Sequence, residues 1–82
     1  MTTKQYNVTT TATSISSIME VDHCKGIVIQ AASANSGVVN FGNKGAEVMF
    51  LIAGGSSAID TNSLTDIYVK GTLNDKLNIL VY

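Results

Sequence analysis

Three separated segments of this chain alternate apolar and other side chains with a period of two, a pattern that restricts it to strands. In residues 25–32, Ile27, Ile29 and Ala31 face one way while Val28 and Gln30 face the other. In 66–71, Ile67 and Val69 alternate with Tyr68 and Lys70. In 77–82, Leu77, Ile79 and Val81 alternate with Asn78, Leu80 and Tyr82. Successive side chains leave a strand on opposite sides, so each segment offers one apolar face to a core. Their β-branched and aromatic residues suit a pleated surface. Weaker strand candidates are 6–11, 14–21, 37–41, 48–52 and 56–60. Residues 46–53 contain the helix formers Glu47, Met49 and Leu51, but two glycines end the segment and a strand or single turn fits better.

Turn chemistry separates these segments. Residues 33–37 are expected to close a hairpin, with Asn35 or Gly37 tolerating positive φ. Gly42-Asn43-Lys44-Gly45 forms a second turn and Ala53-Gly54-Gly55 a third. Thr72-Leu73-Asn74-Asp75 is expected to join the last two strands as an antiparallel hairpin. Short strands spaced in this way predict an all-β fold, a compact antiparallel β-sandwich or small barrel of about seven or eight strands. With 82 residues there is room for one domain, 1–82. The threonine-rich start, 1–13, is either its first strand or an arm that crosses onto a neighbour.

A domain this small is marginal alone and usually gains stability from disulfides, metal or oligomerisation. Cys24 is the only cysteine and His23 the only histidine, so an internal disulfide is excluded and a metal cage is hard to build. Oligomerisation remains as the expected supplement. The basic residues are five lysines against six acidic residues, a net charge of −1 with no arginine. Such a balance offers no field for gripping phosphates, so nucleic acid is not an expected partner. Only 13% of residues are charged, which fits a surface that meets protein neighbours. No apolar run approaches the length of a signal peptide or a bilayer span, so no membrane partner is expected. A lone cysteine fits synthesis in a reducing cytoplasm.

The one cluster with the makings of a chemical site is Glu20, Asp22, His23 and Cys24. On a strand His23 and Cys24 point to opposite faces and cannot converge on one ligand. The expected arrangement has Cys24 as a small core hydrophobe and Glu20, Asp22 and His23 on a surface turn. Asp60, Asn62 and Ser63 are oxygen-rich but lack calcium-loop spacing, and a side-chain-closed turn is expected there. Residues 42–45 hold glycine and lysine without phosphate-loop spacing. Glu47, Asp66 and Asp75 are scattered, and Tyr6, Tyr68, Phe41 and Phe50 are too dispersed for a stacking platform. No catalytic residue, metal ligand or cofactor site is therefore expected. The informative stretch is 77–82, apolar on both faces, as in a strand covered on both sides. One cover could come from another subunit, which makes Leu77, Ile79, Leu80, Val81 and Tyr82 the candidate subunit contacts.

The stretch Ile27-Val28-Ile29-Gln30-Ala31-Ala32-Ser33-Ala34-Asn35-Ser36-Gly37-Val38-Val39-Asn40-Phe41-Gly42 resembles small bacteriophage virion proteins. In those, a strand ending in Ala is followed by Asn-Ser-Gly and a short strand running into Gly. Leu51-Ile52-Ala53-Gly54-Gly55-Ser56 and Asp66-Ile67-Tyr68-Val69-Lys70-Gly71-Thr72 continue the likeness, which covers roughly 25–82. The chain departs from the pattern at Asn43-Lys44-Gly45 and at the Met49-Phe50 pair. The resemblance implies a compact β-sandwich that decorates capsids or builds head and tail fittings, and it supplies no catalytic residues.

The expected function is thus a non-enzymatic virion structural protein, binding capsid or tail subunits as a decoration, cement or adaptor piece. Its expected partners are other virion proteins and itself, with a trimer as the natural symmetric form. Its expected location is the virion, after synthesis in the host cytoplasm. The alternative is a receptor- or glycan-binding β module of a phage fibre.

Overall fold

The computed structural model describes residues 2–82, so only Met1 of the 1–13 segment lies outside it. Eight strands and one short helix follow in order: β1 (Thr2–Asn7), β2 (Thr13–Ser14), α1 (Ile15–Met19), β3 (Ile27–Ala31), β4 (Val39–Asn43), β5 (Ala46–Leu51), β6 (Ser56–Ile59), β7 (Tyr68–Gly71) and β8 (Lys76–Val81). They form two antiparallel four-stranded sheets, ordered β1-β8-β3-β6 and β2-β7-β4-β5. The molecule is an all-β sandwich.

Period-two alternation decides the core. Ile27, Ile29 and Ala31 of β3 lie opposite Val81, Ile79 and Leu77 of β8, and all six are buried. Across the sandwich, Val39, Phe41 and Leu51 of β4 and β5 and Val69 of β7 supply the facing layer. Val8 and Leu64 from the connecting segments and Ile15 of α1 are fully buried and complete it. Each fully buried aliphatic side chain contributes roughly 1.5–3 kcal/mol relative to exposure.

Residues 14–21 do not form the expected strand. Ile15, Ile18 and Met19 are spaced i, i+3, i+4 and bury one face of α1, a helical period that the surrounding serines obscure. The Ser14 hydroxyl accepts from the Ser17 N–H at 3.1 Å and caps the start. Glu20, at φ 59°, ends the helix, and its N–H donates to the Ser16 carbonyl. The first strand covers 2–7 rather than 6–11, because its register is set by β8: Thr2 faces Val81 and Asn7 faces Lys76. Of the two readings of the N-terminus, residues 2–7 take the strand, paired within the chain.

Two expected hairpins are instead crossings between sheets. β3 and β4 lie in different sheets, and so do β7 and β8. Residues 33–37 and 72–75 carry the chain over one end of the sandwich, where side chains tie them together. Asn35 pairs with the backbone of Lys76 as a strand would, donating from Nδ2 to the carbonyl and accepting from the N–H at Oδ1, each at 2.8 Å. Asp75 accepts from the Ser36 and Gly37 N–H groups at 3.0 and 2.9 Å and from the Ser36 hydroxyl. Positive φ falls on Asn74 here, not on Asn35 or Gly37. The expected turn at 42–45 does close a hairpin, β4 to β5, with Gly45 at φ +79°.

Candidate interaction surface

The polar clusters do not converge. His23 is exposed, bridges to Ser63 and places Nδ1 3.3 Å from the Asn62 carbonyl. Cys24 is half-buried against the core, and its thiol donates to the Thr61 carbonyl at 3.2 Å. The Asp22 carboxylate accepts from the Ser16 hydroxyl. At 60–63 the turn is closed by Thr61, whose hydroxyl accepts from the Ser63 N–H and donates to the Ser63 carbonyl. Among the described residues no group of three His, Cys, Asp or Glu side chains is placed to hold a metal ion.

The five expected subunit contacts divide by face. Leu77, Ile79 and Val81 are 0, 2 and 5% exposed, spent in the chain's own core. Leu80 and Tyr82 lie on the outer side, with Leu80 half-buried and Tyr82 exposed. β8 is covered laterally by β1 and β3, so its backbone is fully committed within the sheet. The Tyr82 ring lies over Gly26, where an added Cβ would come 2.6 Å from the tyrosine oxygen. A side chain at residue 26 would displace that ring.

Beside Leu80 the outer face of the first sheet forms a shallow, open concavity of about 440 Å³. It is crossed by an amide row: Gln5 Nε2 donates to Asn78 Oδ1 at 3.0 Å, and Asn78 Nδ2 donates to Gln30 Oε1 at 3.4 Å. A second open concavity of about 410 Å³ is lined by Asn43, Lys44, Thr65, Asp66 and Tyr68.

The most unusual surface is β5, the last strand of the second sheet, with one side of its backbone unpaired. Val48, Met49, Phe50 and Ile52 are 76, 59, 60 and 62% exposed. Phe50 lies opposite Asn40 on the outer face, and Val48 and Ile52 follow it by alternation. Met49 lies opposite buried Phe41, at the open lip of the sandwich. Val38, opposite Ile52 by continuation of the register, is also exposed. An edge strand normally blunts its unpaired groups with charge, proline or irregularity, because a bare apolar edge recruits further strands.

Only the start of β5 is blunted. Between the pairs Phe41–Met49 and Asn43–Ala46, Glu47 and Val48 together face Gly42, a bulge that breaks the register. The Glu47 side chain is 3% exposed, accepts from the Gly45 N–H at 2.8 Å and lies 3.6 Å from the Lys70 ammonium. From Val48 onward no charged side chain follows until Asp60. Alternation alone makes 48–52 a weak strand candidate; the signal in the sequence that sets it apart is its run of five apolar residues.

No protein-family profile, curated protein or solved structure matches the chain.

Proposed function

We propose that this protein is a non-enzymatic structural module that works by assembling with other protein, and that its setting is a bacteriophage virion, as a decoration, cement or adaptor piece. The observation that carries the assembly reading is the bare apolar edge of β5, with four large side chains more than half exposed beside an unpaired backbone. Strand addition at such an edge supplies main-chain hydrogen bonds and apolar burial together. The virion setting rests on the sequence resemblance of 25–82. Peptide mass spectrometry of purified phage particles from the source tests it. The chain should appear in a fixed ratio to the major particle protein, and Phe50→Asp should reduce its incorporation. A chain missing from intact particles would sink the virion reading.

The amide row of Gln5, Asn78 and Gln30 favours a second reading, a glycan- or receptor-binding face. It is the weaker one, since no aromatic side chain lines that concavity to stack on a sugar ring. Loss of glycan binding on Asn78→Ala, with β5 variants unaffected, would reverse that preference.

A further inference from the structure

We infer that the occupant of the β5 edge is a second copy of this chain, paired β5 to β5 in antiparallel fashion about a two-fold axis at Phe50. This rests on the assembly reading above and names its partner. The apolar residues of the edge are arranged symmetrically about Phe50. An axis there sets Phe50 against its own copy and brings Val48, at the bulge, beside Ile52 of the other copy, the residue that follows β5. Met49 then faces Leu51 of the other copy. An isologous contact needs this self-complementarity. Nothing charged opposes it: Glu47 falls opposite Ala53, and its carboxylate is already held by Lys70 and the Gly45 N–H. A formal charge of −1 per chain gives little repulsion between copies.

Val48, Met49, Phe50 and Ile52 present roughly 500 Å² per copy, so complete cover of both copies buries at most on the order of 1,000 Å², the lower limit for a specific interface. Edge pairing adds backbone hydrogen bonds and joins two four-stranded sheets into one of eight. Pairing of identical edges closes at two copies, so the assembly is a dimer and not the trimer expected from the sequence.

Two measurements on the full chain test this. Light scattering across a dilution series should show the mass doubling with concentration, and Phe50→Asp should hold it at one chain with an unchanged circular dichroism spectrum. The other is oxidative cross-linking in a Cys24→Ala background. Phe50→Cys should cross-link to itself. Val48→Cys should not, since its two copies lie roughly 14 Å apart along the paired strands. Mixed with Ile52→Cys, Val48→Cys should cross-link. A mass of one chain at every concentration overturns the pairing, as does an oligomer that survives Phe50→Asp or has three copies. A monomer whose Phe50→Asp variant still loses incorporation into particles overturns the second copy alone. A monomer whose incorporation is also unchanged by Phe50→Asp removes the β5 basis of the assembly reading as well.

Discussion

β1 and β5 are both six-residue edge strands, one in each sheet, and they treat the same hazard in opposite ways. β1 reads Thr-Thr-Lys-Gln-Tyr-Asn. Its Lys4 lies opposite buried Ile79, on the core side, and sends its ammonium to the Ile18 carbonyl at the end of α1, 2.9 Å away. An inward-pointing charge on an edge strand discourages another strand from docking, because pairing would trap it. The same contact satisfies a carbonyl left open at the helix terminus. β5 places its charge and its bulge at Glu47 and Val48, near its start, and leaves Met49 onward bare. Two edges in one small domain therefore differ in their chemistry, not in their length: one is polar and carries an inward charge, and the other is apolar over its second half.

That contrast can be broken experimentally. The largest effect is expected from Val48→Lys with Phe50→Lys, which gives β5 the chemistry of β1. Self-association by sedimentation should weaken by on the order of 100-fold or more, because central apolar residues carry most of an interface's energy. Folding stability of the monomer should stay within about 0.5 kcal/mol, since both side chains are exposed there. Glu47→Ala should cost about 1 kcal/mol in urea unfolding, since the exposed Gly45 N–H exchanges its carboxylate acceptor for water. It should also lengthen the open part of the edge, so association should strengthen while stability falls. Lys4→Met removes the inward charge from β1. A loss of about 1 kcal/mol is expected from the Ile18 carbonyl, together with new self-association through β1. Absence of that new association would show that Lys4 caps the helix without guarding the edge.

The effect that leaves both edges untouched concerns Asp75, which lies at the crossings between sheets. The Ser36 N–H chiefly, then the Gly37 N–H, hold its carboxyl below the usual value of 3.8; burial opposes them, and the Ser36 hydroxyl adds to the lowering. A carboxylate whose folded pKa is depressed contributes stability that is fully present above its unfolded pKa and is lost as pH falls through the folded one. Stability should thus be level above roughly pH 5 and decline below about pH 4, and Asp75→Asn should flatten that acid limb. An unchanged limb in the variant would assign the acid sensitivity to other carboxylates.

Much of the local structure is legible from residue order. Inward and outward faces of β3, β7 and β8 follow from alternation, because the period of a strand is a property of neighbouring residues. The helix α1 is legible in principle from Ile15, Ile18 and Met19 behind a capping Ser14, yet five residues are too few for that period to stand out against a strand. The crossings at 33–37 and 72–75 resemble hairpins in sequence because turn residues report a change of direction and carry no record of which sheet follows. Asn35 and Asp75 show why: their partners, 41 and 39 residues away, lie in a different part of the chain.

The candidate site shows the same division most sharply. Residues 48–52 and 77–82 are both short runs apolar on two faces, and residue order favours 77–82 as the subunit contact. Sequence alone marked 77–82 as a strand with an apolar inner face and 48–52 as a weaker strand candidate. Only the tertiary structure decided that β8 lies in the middle of a sheet and β5 at the end of one. Being an edge depends on which distant segments pair, and strand pairing is settled by the packing of the whole chain, not by the residues of the strand itself.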